Sequence, residues 1–244
     1  MCTIILLHRP HHPWPLIVAA NRDEMNGRPW RPPARHWPDR PEVVAGLDDL
    51  AGGTWLGVNE AGVVAAVLNR QGTLGPASGK RSRGELPLEA LDHADAAEAA
   101  AALEHLDGRA YRAFNMIVAD DRDVFWLRGT GGARVEVRRL PVGLSMLTAH
   151  ELNDPADPRI ARFLPLFRGA EEPDPDSGDW HAWQALLAVS DGEDGALTFQ
   201  RDDGFGTVCS TLLAVPAVDR PDTAPVLLFA AGKPGVAPFQ PIPW

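Results

Sequence analysis

Residues 2–7 form an unbroken apolar, β-branched run, which predicts a strand. His8–Pro15 holds Pro10, Pro13 and Pro15 and must be a loop, because proline cannot donate to a ladder. Leu16–Ala20 predicts a second strand, so the two runs form a hairpin around a broad loop. Residues 28–41 are dense in Pro and Arg and are expected to form an irregular surface arm. Gly52–Asn59 and Gly62–Asn69 predict a strand pair, turned at Asn59-Glu60-Ala61-Gly62 with Gly62 free to take a positive φ. Pro87 suits a first helical turn, with Leu88 and Leu91 on one face. Asp95 can cap a second, Ala-rich helix over Ala96–Leu106. Strands resume at Phe114–Ala119, Val124–Leu127, Ala133–Arg139 and Gly143–Thr148, with Gly129–Gly132 as a hairpin turn. Ile160–Phe167 and Trp180–Val189 predict helices, Glu171–Gly178 a loop, and Thr207–Val215 and Val226–Ala231 closing strands.

The order is strands, helices, strands, helices, strands. The absence of strict βαβ alternation argues against a doubly wound parallel sheet. The pattern predicts an α+β fold of two mostly antiparallel sheets with helices on their outer faces. A strand covered on both faces has no reason to alternate, which accounts for the continuous apolar runs. No internal repeat or disordered linker divides residues 1–244, so a single domain is expected.

Charge narrows the partners. With 33 acidic and 23 basic side chains the formal net charge is −10, which disfavours nucleic acid and anionic lipid. No apolar run approaches the roughly 20 residues of a membrane helix, and the N-terminal residues do not resemble a secretory leader, so a cytoplasmic protein is expected. The expected partner is a small-molecule ligand or substrate. Cys2 and Cys209 are the only cysteines, too few for a disulfide framework or a four-thiolate zinc site. Eight tryptophans, in contrast, are enough to pack a core or line a pocket. Trp55 is expected to be buried, with Gly53 and Gly57 leaving room for its indole.

Phosphate loops, nucleophile elbows and zinc-protease motifs are missing, and no metal site is expected. Three features remain. Trimming of Met1 would leave Cys2 with a thiol and a free α-amine of similar pKa, a nucleophile carrying its own base. Taken alone, Cys2 fits better a packed residue that opens an apolar strand. Asn21-Arg22-Asp23-Glu24 ends the second strand, and the hairpin would bring it beside Cys2, where a carboxylate can hold the α-ammonium and an arginine can lower the thiol pKa. Asn69, at the end of strand 62–68 and followed by Arg70, can donate to an oxyanion or simply terminate the strand.

Met1-Cys2-Thr3, Asn21–Glu24, Gly52-Gly53-Thr54-Trp55-Leu56-Gly57, Leu68-Asn69-Arg70, Ser82-Arg83-Gly84 and Leu152-Asn153-Asp154-Pro155 together resemble the NRDE family, also called the transport-and-Golgi-organisation family. The resemblance implies an N-terminal-nucleophile hydrolase-like fold, a four-layer αββα sandwich similar to choloylglycine hydrolases and penicillin V acylases. It implies Cys2 as nucleophile and amine base, Asp23 holding the amine, Arg22 or Asn21 at the thiol, and Asn69 at the oxyanion. Where that group has a second Asn, this chain reads Thr148-Ala149-His150 and offers His150 as donor. Trp55, Arg70 and His150 are the candidate binding residues. Two functions follow: a cysteine amidohydrolase of a linear C–N amide bond, or a non-catalytic carrier of haem or another apolar ligand. For haem, His8, His11, His12 and His36 are the axial candidates, and no resident cofactor is expected.

Overall fold

The computed structural model describes residues 2–191 and 195–244. In chain order the elements are β1 (Thr3–His8), β2 (Leu16–Met25), β3 (Trp30–Ala34), β4 (Val43–Asp48), β5 (Leu56–Asn59), β6 (Val64–Asn69), α1 (Glu85–Leu91), α2 (Ala96–Glu104), β7 (Phe114–Ala119), β8 (Val124–Gly129), β9 (Val135–Arg139), β10 (Gly143–Leu147), α3 (Pro158–Gly169), α4 (His181–Leu187), β11 (Phe205–Val215), β12 (Val226–Ala230) and β13 (Gln240–Pro241). They fall into two compact units, each with one sheet whose named strands all pair antiparallel.

The first unit takes residues up to Arg28 together with 142–243. Its six-stranded sheet runs β10-β1-β2-β11-β12-β13. The expected hairpin is present, with Thr3 opposite Asn21 and His8 opposite Leu16. One face of this sheet, including Ile5, Ile17, Ala19, Met146 and Leu212, packs against Phe163 and Phe167 of α3 and Trp183 and Leu187 of α4. Helix α3 starts two residues before the expected Ile160: Asp157 caps it by accepting from the Arg159 amide, and Pro158 follows in the first turn. The edge strand β10 is covered locally. Asn153, at φ 54°, donates its amide to the Met146 carbonyl (2.9 Å) and accepts the Met146 amide on Oδ1 (2.7 Å). The outward donor and acceptor of Met146 are thereby satisfied without another strand.

The second unit takes Pro29–Pro141 and Trp244. Its seven-stranded sheet keeps sequence order, β3 through β9. Helices α1 and α2 cover one face, with Leu86, Leu91, Ala99 and Leu103 against Val43, Ala65, Met116 and Val118. Asp95 caps α2 as expected, accepting from the Glu98 amide at 2.8 Å. The β5–β6 turn closes with Gly62 at φ 83°. Asn59, in that turn, donates to the carbonyls of Leu91 (2.9 Å) and His93 (2.8 Å) and accepts the Val63 amide (2.9 Å), which pins the hairpin to the end of α1.

Three expectations need correction. The arm at 28–41 contains β3, which pairs with β4 across a register shift between Arg31 and Ala34; a proline-rich strand is tolerated there because β3 is an edge. Strand β2 does not stop at Ala20 but runs to Met25, carrying Asn21–Glu24 inside the sheet. Trp55 precedes β5 and is half-buried, and its room comes from a different glycine: a Cβ on Gly46 would sit 2.3 Å from the indole. Gly53 serves another contact, since a Cβ there would lie 2.4 Å from the backbone of Gly84, whose carbonyl accepts the Thr54 amide at 2.8 Å.

Gly53→Ala should therefore destabilise the protein by about 1–3 kcal/mol, because neither backbone can yield as a side chain would. Gly27, with no atom within 4 Å of an added Cβ, is the control: Gly27→Ala should leave the denaturant midpoint within error. Equal midpoints for both variants would refute the close-approach reading.

Candidate functional site

The site grows from the polar end of β2. Asn21, Arg22 and Asp23 are all buried although they follow five apolar residues in the same strand. Burying such groups is costly unless each finds a partner, so their partners define the local structure. Asn21 donates through Nδ2 to the Leu187 (3.1 Å) and Leu197 (2.9 Å) carbonyls, and its Oδ1 accepts from the Ser210 hydroxyl. One side chain thus joins β2 to the end of α4, to segment 195–199 and to β11. Asp23 accepts from the Thr207 hydroxyl at 2.7 Å and from Arg159 Nη1 at 3.2 Å. The same Nη1 donates to the Thr3 hydroxyl at 3.3 Å. The register shift between Thr207 and Cys209 lets both of those residues oppose consecutive positions of β2, Asp23 and Arg22.

Cys2, directly before β1, is half-buried and lies against the backbone of Asp23. Its thiol donates to the Asp23 carbonyl at 3.4 Å and its sulfur accepts the Asp23 amide at 3.3 Å. Burial pushes the Cys2 thiol up and the Asp23 charge adds to that, while the N-terminal ammonium, the Asp23 amide and the Arg22 guanidinium pull against it. Arg22 also approaches Glu24 at 3.9 Å. Cys209, opposite Arg22 in β11, is fully buried, and that burial pushes its thiol up to about 12.

The other predicted residues are distributed as follows. His150 is half-buried in the first unit, with Nδ1 2.8 Å from Asp157 Oδ2. Asp157 also accepts from the Thr148 hydroxyl and from the Arg159 amide at 2.8 Å. Burial works against the Asp157 charge, but the hydroxyl, imidazole and amide outweigh it and hold the carboxyl below the usual range. Asn69, Arg70 and Trp55 belong to the second unit. Asn69 closes β6 opposite Phe114, Arg70 donates to Asn115 Oδ1 at 2.7 Å, and Trp55 meets Trp30 edge to face at 6.0 Å. Of the histidines proposed for haem, His8 ends β1, His12 accepts the Trp14 amide on Nδ1 at 3.0 Å, and His36 lies in the second unit.

Sequence reasoning missed Arg159 and Thr207. Both contact Asp23, but from 136 and 184 residues away, and no local pattern marks them. It also missed a cavity of about 770 Å³ in the first unit, bordered by His150, Asp157, Arg159, Phe199, Arg201 and Lys233 among others. Arg159 both borders that cavity and holds Asp23, so the cavity and the Cys2 cluster share a wall residue. Among the described residues there is no group of side chains arranged to hold a metal ion, and no helix is long and apolar enough to cross a membrane.

Known proteins bear on both fold and family. The chain is similar to the solved N-acylethanolamine-hydrolyzing acid amidase ortholog of Caenorhabditis elegans, with a TM-score of 0.60 and 15% identity over 92% of this chain and 98% of that one. It is similar to a variant of the conjugated bile acid hydrolase of Clostridium perfringens, with a TM-score of 0.58 and 11% identity over 99% and 92% of the two chains. At such identities the likeness shows the fold: the expected α+β class with two antiparallel sheets, as in N-terminal-nucleophile hydrolases. Among curated relatives, the bovine (Bos taurus) Transport and Golgi organization protein 2 homolog is 34% identical over 154 residues, covering 58% of this chain and 54% of the relative. The human (Homo sapiens) homolog is 35% identical over 129 residues, covering 49% of this chain and 45% of the relative. The chain thus spans about half the length of the curated relatives it matches. The family model for Transport and Golgi organisation 2 matches residues 1–169, which include parts of both units. The chain belongs to the Transport and Golgi organisation 2 family.

Proposed function

We propose that this protein is a cysteine amidohydrolase that cleaves a linear C–N amide bond through Cys2. The observation that carries the reading is the seat of the Cys2 sulfur on the backbone of Asp23, at the one place where β2 buries charge. With Met1 attached, the nitrogen of Cys2 is an amide and cannot act as a base. Removal of Met1 frees an α-amine with a reference pKa of about 7.7–8.0, close to that of a thiol. The amine takes the thiol proton, and the thiolate attacks the amide carbon. The C–N bond then breaks as the protonated amine leaves, giving a thioester that water hydrolyses to the acid. The negative field of Asp23, which raises the thiol, also draws an α-ammonium, while Arg22 favours the thiolate. Asn21, bound to carbonyls and Ser210, is a positioning residue in this scheme. The oxyanion role of Asn69 rests on the family resemblance.

A second reading, a non-catalytic carrier of haem or another apolar ligand, is favoured by the 770 Å³ cavity, whose wall combines Ala188, Ala196 and Val236 with the His150 imidazole. In that case haem titration gives a Soret shift that His150→Ala removes, and a shift unchanged in that variant would refute His150 as ligand.

Two measurements test the amidase. Intact-mass analysis with iodoacetamide should show Met1 removed and Cys2 labelled well before Cys209. With Met1 attached the Cys2 thiol is raised, so that form should label only as pH rises through and above the usual thiol range, whereas the trimmed form should label at lower pH, and Cys209 stays protected by its pKa of about 12 in both. Equal slow labelling of both would make Cys2 a packed residue. Against a panel of N-acyl amides, Cys2→Ala should lower turnover by about a thousandfold or more, and Asp23→Asn should lower it while leaving Cys2 alkylation measurable. Full turnover in Cys2→Ala would overturn the proposal.

A further inference from the structure

We infer that the cavity beside α3 is a binding site for an oxyanion, a carboxylate or phosphate, carried on a compact apolar body. The inference stands on the cavity's own residues and does not require chemistry at Cys2. In a chain of net charge −10, this cavity gathers three permanent cations, Arg159, Arg201 and Lys233, and Lys233 is one of only two lysines in the sequence. Among its described lining residues the only carboxylate is Asp157. That carboxylate is already engaged by the Thr148 hydroxyl, His150 and the Arg159 amide, so its charge is spread into the wall instead of facing a ligand unscreened.

The two arginines are also held in place. The Phe199 ring takes the Arg159 guanidinium at 5.0 Å and the Arg201 guanidinium at 5.6 Å, and Arg201 lies 5.6 Å from the Phe205 ring as well. Arg159 is further fixed by Asp23 and Thr3. Planar guanidiniums fixed by stacking lose little freedom on binding, and their paired donors match the geometry of carboxylate and phosphate. A volume of about 770 Å³ exceeds what an oxyanion alone fills, and Ala188, Ala196 and Val236 supply apolar wall for the remainder of the ligand.

The test is calorimetric titration of the full chain with phenyl phosphate, benzoate and the neutral benzyl alcohol. Both anions should bind and the alcohol should not, and the tighter of the two anions identifies which oxyanion the site prefers. Arg201→Gln and Lys233→Gln should each weaken the anions about tenfold or more, as expected for losing a charge-assisted contact. Arg138→Gln, in the other unit, should leave the affinities unchanged. Unfolding midpoints confirm that each variant is folded. Equal binding of alcohol and anions would overturn the inference. So would unchanged anion affinity in both cavity variants, or equal weakening by Arg138→Gln. Because no step involves the thiol, anion binding that persists in Cys2→Ala separates this site from the fate of the amidase proposal.

Discussion

Burying Asn21 and Asp23 within a sheet commits the first unit to one arrangement. A buried amide or carboxylate without partners costs roughly as much as a large core truncation, so both residues must be satisfied from elements distant in sequence. Asn21 spends its amide on the carbonyls of Leu187 and Leu197 and on Ser210. Asp23 takes Thr207 from β11 and Arg159 from α3. Two adjacent positions of one face of β2 therefore fix where α4 ends, where segment 195–199 runs, how β11 is registered and how α3 is turned. The apolar packing of α3 and α4 supplies the bulk of the contact, but it is tolerant of sliding in a way these hydrogen bonds are not.

The second unit uses a related device with less charge. Asn59 ties a hairpin turn to the end of α1 through two carbonyls and an amide, and Gly53 lets two backbones meet at Gly84 where any side chain would separate them. In both units a single strand asparagine, inside β2 in the first and at the end of β5 in the second, joins a sheet to the C-terminal end of a helix, where carbonyls lack intrahelical donors. The structural demand is the same, and only the first unit adds ionised groups and a thiol to it.

These constraints explain what was legible in the sequence. The hairpin of β1 and β2, the Asn59–Gly62 turn and the Asp95 cap are set by neighbours within a few residues, and each appears where its pattern places it. β3 was obscured because Pro32 and Pro33 signal irregular chain, and only its edge position reconciles them with pairing. The extension of β2 was obscured because four polar residues read as a solvated turn unless Thr207, Ser210 and Arg159 are known to await them. Trp55 was assigned its space from glycines beside it in sequence, whereas the space lies across the sheet at Gly46. Of the candidate site, Cys2 beside the β2 motif could be inferred from pairing alone. Arg159, Thr207 and the cavity could not, since they are joined to it only by the closed fold.

The state of the Cys2 thiol follows from the same burial. Desolvation raises it, and the nearest carboxylate raises it further, so the geometry that positions the sulfur also keeps it protonated. The N-terminal ammonium, the Asp23 amide and Arg22 oppose this without reversing it. Under the amidase proposal, removal of Met1 would place a positive group at the thiol itself, because an α-ammonium on Cys2 is covalently fixed next to the sulfur. A carboxylate that hinders ionisation of a lone thiol thus becomes the group that retains the neighbouring ammonium. Arg159 and Thr207 limit how strongly Asp23 acts in either sense, since both already donate to its oxygens. In the proposed amidase, reactivity is therefore set less by Cys2 than by how the charge of Asp23 is divided between the fold and the amine that Met1 removal would free.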